Sequence, residues 1–88
     1  MLRIEKLVCK NAKFHKDCVW RRTTLKASDE DYPVLKRKIQ HEIRVTKTAY
    51  RIVHDRLGIV TTLKWGHDNR AFIQEDRRKL ARIYASID

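Results

Sequence analysis

Residues 2–9, Leu-Arg-Ile-Glu-Lys-Leu-Val-Cys, begin with apolar and polar positions in alternation and contain no helix breaker. Residues 18–26, Cys-Val-Trp-Arg-Arg-Thr-Thr-Leu-Lys, are rich in β-formers. The two segments predict a two-stranded antiparallel ribbon. Their connector, residues 10–17, is polar and basic but lacks the Asn-Gly or Asp-Gly pair of a tight hairpin turn.

The pattern changes at Ser28-Asp29-Glu30-Asp31-Tyr32-Pro33. Capping residues, acids suited to the positive end of a helix dipole and a proline suited to the first turn predict a helix start. Leu35, Ile39, Ile43, Thr46, Tyr50, Val53 and Leu57 then recur at three- and four-residue intervals, which keeps them on one helical face, and Gly58 supplies a stop. The β-branched run Val45-Thr46-Lys47-Thr48 leaves open a bend or a second helix. Residues 59–65 read as a short strand or a linker, and residues 66–69 as a turn ending in a cap. A last helix is expected over about residues 70–87, with Phe72, Ile73, Leu80, Ile83, Tyr84 and Ile87 inward. The expected fold class is α+β: an N-terminal two-stranded antiparallel β-ribbon packed with a long helix and a C-terminal helix, as one small basic domain over residues 1–88.

Composition sharpens this picture on the side of function. The chain has 88 residues, 42% of them apolar, which suffices for a core but not for a large enclosed ligand cavity. Any function is therefore expected on the outer surface. Lys and Arg number 21 against 11 Asp and Glu, a formal charge of +10. Residues 1–28 hold eight cations and two acids, so this third alone carries +6. Such an imbalance speaks to partners, and the partner it suits is a polyanion. The apolar runs are too short for a transmembrane helix. With no secretion signal pattern and only Cys9 and Cys18, a cytoplasmic protein with reduced thiols is expected.

On a continuous helix, Arg37, Gln40, Arg44, Lys47 and Arg51 fall within an arc of roughly 80° beside the apolar face. A stripe of this kind can follow a phosphate backbone, releasing counterions as it binds. A solvated helix face gives the same pattern without function, and the net charge tips the balance toward phosphate contact. Arg21, Arg22 and Lys13, with Lys10, Lys16 and Trp20, form a second patch on the ribbon, where alternation lets Arg22 share a face with Trp20. If exposed, Trp20 suits stacking on an unpaired base; in a domain this small it also suits the core. Arg70, Arg77, Arg78, Lys79 and Arg82 are supporting charge on the last helix.

Cys9, His15 and Cys18 form a Cys-x5-His-x2-Cys cluster, but the close cysteine pair that usually opens a structural zinc site is missing, so no metal or other cofactor is expected. Phosphate-loop, His-Glu-x-x-His and Gly-x-Ser-x-Gly patterns are also missing. His54-Asp55 and His67-Asp68 are neighbours in sequence whose side chains would diverge on a helix. A non-enzymatic protein is expected.

Residues 52–65, Ile-Val-His-Asp-Arg-Leu-Gly-Ile-Val-Thr-Thr-Leu-Lys-Trp, resemble a helix-turn-helix. Gln74-Glu75-Asp76 and Leu80-Ala81-Arg82-Ile83 resemble a later helix of mercury-resistance-type regulators. In departure from that pattern, His54 stands where a small alanine usually packs, and Leu63 comes one residue early. Tyr50-Arg51 through Leu57-Gly58-Ile59 is also similar to a small helical domain at the C-terminus of some phage antirepressors. Both resemblances imply DNA-binding regulators of phage or mobile elements, and neither names a family. The expectation is a nucleic-acid-binding protein, DNA favoured, using Arg37, Arg44, Lys47 and Arg51 first and Arg21, Arg22 and Lys13 next. The rivals are a small basic phage-type effector that inhibits an acidic host protein and an RNA- or ribosome-associated protein. A homodimer stays open.

Overall fold

The computed structural model describes residues 1–9, 18–66 and 70–85. Strands β1 (Leu2–Cys9) and β2 (Cys18–Ala27) pair antiparallel as the sequence predicts, but they form one edge of a larger sheet rather than a free ribbon. Three further strands, β3 (Tyr50–His54), β4 (Gly58–Trp65) and β5 (Ala71–Glu75), complete a five-stranded antiparallel sheet of order β2-β1-β3-β4-β5. Two helices, α1 (Tyr32–Thr46) and α2 (Arg77–Ala85), accompany it. The α+β class stands, while the ribbon-and-long-helix architecture is replaced. None of the helices among the described residues is long and apolar enough to cross a membrane.

The helix start lies where the capping residues place it. Ser28 Oγ donates to Asp31 Oδ2 at 2.7 Å, Asp31 N donates to Ser28 O at 3.0 Å, and Pro33 occupies the first turn of α1. The long helix expected through Leu57 ends instead at Thr46. Lys47 adopts the left-handed conformation (φ 56°), and its N–H closes on Ile43 O at 2.8 Å. Thr46 Oγ1 donates to Glu42 O at 3.0 Å, and Thr48 Oγ1 donates to Thr46 O at 3.3 Å. Such local bonds compete with helix continuation, and the β-branched residues that follow suit a strand better.

Residues 52–65 are therefore two strands and a turn, and the helical structure that both resemblances imply there is overturned. In the β3–β4 turn, His54 Nδ1 accepts from Arg56 N (3.1 Å) and Leu57 N (3.3 Å), while Gly58 holds φ +83°. The last helix is shorter than expected because Asp76 caps it. Asp76 Oδ1 accepts from Arg78 N (3.1 Å) and Lys79 N (3.2 Å), so Phe72 and Ile73 belong to β5.

Both helices lie on one face of the sheet. Leu35, Ile39 and Ile43 of α1 and Ile83 of α2 share one core with Leu2, Ile4, Tyr50, Ile52, Val60 and Leu63. Tyr32 ties α1 to the sheet through polar bonds as well. Its hydroxyl donates to Glu75 Oε2 at 2.9 Å and so accepts from the fully buried Thr61 Oγ1 at 2.5 Å. Lys36 Nζ donates to Glu75 Oε1 at 2.5 Å. Burial is the chief cause that pushes the Tyr32 hydroxyl pKa up, and the Glu75 carboxylate adds to it. Burial alone would raise Glu75, but the bonds from Lys36 and Tyr32 outweigh it and hold that carboxyl below its usual range.

Cys9 and Cys18 face each other at the last pair of the β1–β2 ladder and are joined in a disulfide. This corrects the expectation of reduced thiols. The physical reason is register: the antiparallel pairing of β1 with β2 places these two side chains opposite one another.

Candidate nucleic-acid interface

Strand residues alternate between faces. Because Leu2, Ile4, Tyr50, Ile52 and Leu63 enter the helix-covered core, the intervening positions project from the opposite face, and none of the described helices packs there. Pairing across the five strands arranges these positions in rows. One row runs Arg22, Glu5, Arg51, Thr62, Gln74; the next contains Trp20 opposite Leu7 and Lys64 opposite Phe72; a third places Lys26 opposite Arg3 opposite Val53. Among the described strand residues of this face the cations are Arg3, Arg22, Lys26, Arg51 and Lys64, and the one carboxylate is Glu5.

Glu5 is buried, and the flanking arginines hold it. Arg51 Nε donates to Glu5 Oε1 at 2.5 Å, and Arg3 Nε lies 3.6 Å from Glu5 Oε2. The Arg51 guanidinium lies over the Trp20 ring, 4.4 Å from its centroid. Arg51 is thus fixed by a carboxylate on one side and an aromatic surface on the other. Its two terminal nitrogens make no hydrogen bond to a described residue. They remain able to bond an anion in the fork geometry that suits phosphate.

The sequence-predicted residues are distributed differently from a single stripe, because the helix that would have aligned them is interrupted. Arg37 is on the exposed side of α1, and Arg44 lines a groove of about 410 Å³ with Gln40, Trp65 and Arg70. Lys47 Nζ sits 4.7 Å from the Trp65 ring centroid, and both residues line a second groove of about 630 Å³ with Lys64 and the disulfide. Arg51 is on the helix-free face. Arg22 shares that face with Trp20, whereas Arg21, opposite Lys6, lies on the other. Lys13 lies outside the described residues, as do Lys10, His15, Lys16 and His67.

The positive groups are spread over both sides of the molecule. Among the described residues, Arg3, Lys36, Arg51 and, at 3.9 Å, Lys79 pair with carboxylates. Arg22, Lys26, Lys47 and Lys64 have no carboxylate within 4.0 Å among the described residues.

Sequence reasoning missed Lys64, Phe72, Thr62 and Gln74. Their signal was the alternation Thr62–Lys64 and Phe72–Gln74 beside a β-branched run, which marks one sheet face once both segments are read as strands.

A His–Asp contact does form, with a partner remote in sequence: His54 Nε2 lies 3.1 Å from Asp29 Oδ2. Since Nδ1 accepts two backbone N–H groups, Nε2 carries the proton and donates to Asp29. Both ring nitrogens are thereby occupied in holding the β3–β4 turn to the start of α1, and neither is placed to accept a proton from a substrate. Burial would raise the Asp29 carboxyl pKa, but its bonds to His54 and the Met1 amino group lower it further than burial raises it. The disulfide consumes both thiols of the cysteine–histidine cluster.

Comparisons with protein-family models, with curated proteins and with solved structures gave no match.

Proposed function

We propose that this protein binds nucleic acid without catalysis, contacting the phosphate backbone through the helix-free face of its sheet. The observation that carries this reading is the composition of that face. Among the described strand residues, Arg22, Lys26, Arg51 and Lys64 share this face with a single carboxylate that is already neutralised, and Arg51 is held in place with its terminal nitrogens available. Phosphate recognition requires cations of this kind at fixed positions, and the fold supplies them on strands rather than loops. Phe72 and Gln74 lie among them and give the surface the means to contact bases.

The test is a salt titration with a fluorescently labelled oligonucleotide. Contact with about four phosphates predicts that log K falls linearly with log salt, with a slope of roughly −3 to −4. An affinity that stays flat across the titration would remove the electrostatic basis of the proposal.

A further inference from the structure

We infer that the nucleic acid taken by this face is single-stranded, with an unpaired base stacked on Phe72 while Lys64, Arg51 and Arg22 take the phosphates on either side. This rests on the nucleic-acid reading above and adds the strand class to it.

Three observations lead there. The first is width. Strands about 4.8 Å apart place the outer strands of a five-stranded sheet roughly 19 Å from each other. The major groove of duplex DNA is only about 12 Å wide and admits a helix or a two-stranded ribbon. The sheet cannot enter it face-on, whereas a single strand can be laid across it.

The second is Phe72. It is 54% exposed on an edge strand, directly opposite Lys64, and Gln74 follows it on the same face. A phenyl ring has no hydrogen bond to offer, so beside a cation and an amide its contribution to a polar ligand is the flat surface on which a base can stack. A base within a duplex is stacked on its neighbours and has no free surface for it.

The third is the arrangement across the sheet. Phe72 and Lys64 begin a row that ends at Leu7 and Trp20, and Arg51 lies over the Trp20 ring. Aromatic surface at the β5 edge is thus followed by cations toward the β2 edge, the alternation of stacking and phosphate contact that a single strand presents. Trp20 serves here as the support that orients Arg51. Thr62, opposite both Arg51 and Gln74, adds a hydroxyl within the same track.

The experiment is fluorescence anisotropy at one fixed salt concentration, with single strands of about a dozen nucleotides and mixed sequence. DNA and RNA versions are measured beside the duplex of the same sequence. The expected result is that a single strand of either sugar binds at least tenfold more tightly than the duplex. Phe72→Leu, which keeps an apolar side chain but removes the ring, is expected to weaken single-strand binding about tenfold, well beyond any loss of duplex binding, and Phe72→Trp to restore it. Phe72 is exposed, so these variants are expected to fold as the parent does. Equal or tighter binding of the duplex, or a Phe72→Leu protein that binds single strands like the parent, overturns the inference and leaves the nucleic-acid reading intact. Absence of binding to every oligonucleotide overturns both.

Discussion

Arg51 and Glu5 face each other across the β1–β3 ladder, and the guanidinium that Glu5 holds at 2.5 Å is the one that covers Trp20. A buried carboxylate between two arginines is costly to remove because the arginines are left facing each other. Glu5→Gln is therefore expected to destabilise the fold by about 2–4 kcal/mol, read from the midpoint of urea unfolding. An unchanged midpoint would show that the pair does not hold the strands. Arg51→Lys keeps the charge but loses the planar stack and is expected to weaken oligonucleotide binding.

The Tyr32 hydroxyl links α1 to β4 and β5. Tyr32→Phe preserves the ring packing but leaves the Thr61 hydroxyl, fully buried, without its acceptor and removes one donor from Glu75. The expected loss is about 1–2 kcal/mol of unfolding free energy, measured by denaturant titration.

Asp29 and Glu75 both have carboxyl pKa values lowered by the fold from their ordinary 3.8 and 4.5. The unfolded chain therefore takes up protons first as pH falls. The stability these groups contribute is fully present above about pH 5 and is lost as pH drops through those ordinary values toward the lower values of the folded state. Thermal unfolding followed from pH 7 to pH 3 should show a falling midpoint below about pH 5. Asp29→Asn and Glu75→Gln should each flatten that decline.

Gly58 sits at φ +83°, and a Cβ there would meet only Lys79 Nζ at 3.7 Å, so space is not the constraint. Gly58→Ala is expected to cost about 1–2 kcal/mol through backbone conformation alone. Gly58→Asn should cost less, because asparagine tolerates the left-handed region better. Equal effects of the two substitutions in denaturant titrations would contradict this reading.

The parts of the fold written in local chemistry were legible in the sequence. Ser28, Asp31 and Pro33 marked the start of α1, and the alternation at Leu2 and Ile4 marked β1. The middle of the chain was not legible, because two different periods happen to join there. Leu35, Ile39, Ile43 and Thr46 repeat as a helix does, and Tyr50, Val53 and Leu57 continue the same spacing by coincidence. The competing signal was the strand alternation of Tyr50, Ile52 and His54, whose inward positions become evident only when β1 is seen to pair with them. Asp76 was read as part of a helix rather than as its cap, and that placed Phe72 inside a helix instead of on a sheet face. For the interface, the residue types were visible but their grouping was not. Whether Arg51 stands with Arg44 or with Arg22 depends on the break at Lys47, a single left-handed residue.

Where the cations act can be decided by reversing charge on one face at a time. Arg22→Glu with Lys64→Glu changes the helix-free face, and Arg37→Glu with Arg78→Glu makes the same change in net charge on the exposed sides of the two helices. Oligonucleotide binding by fluorescence anisotropy at matched salt should be lost in the first double variant and nearly retained in the second. Equal losses in both would contradict the account, because they would show that the ligand responds to total charge and not to this face of the sheet.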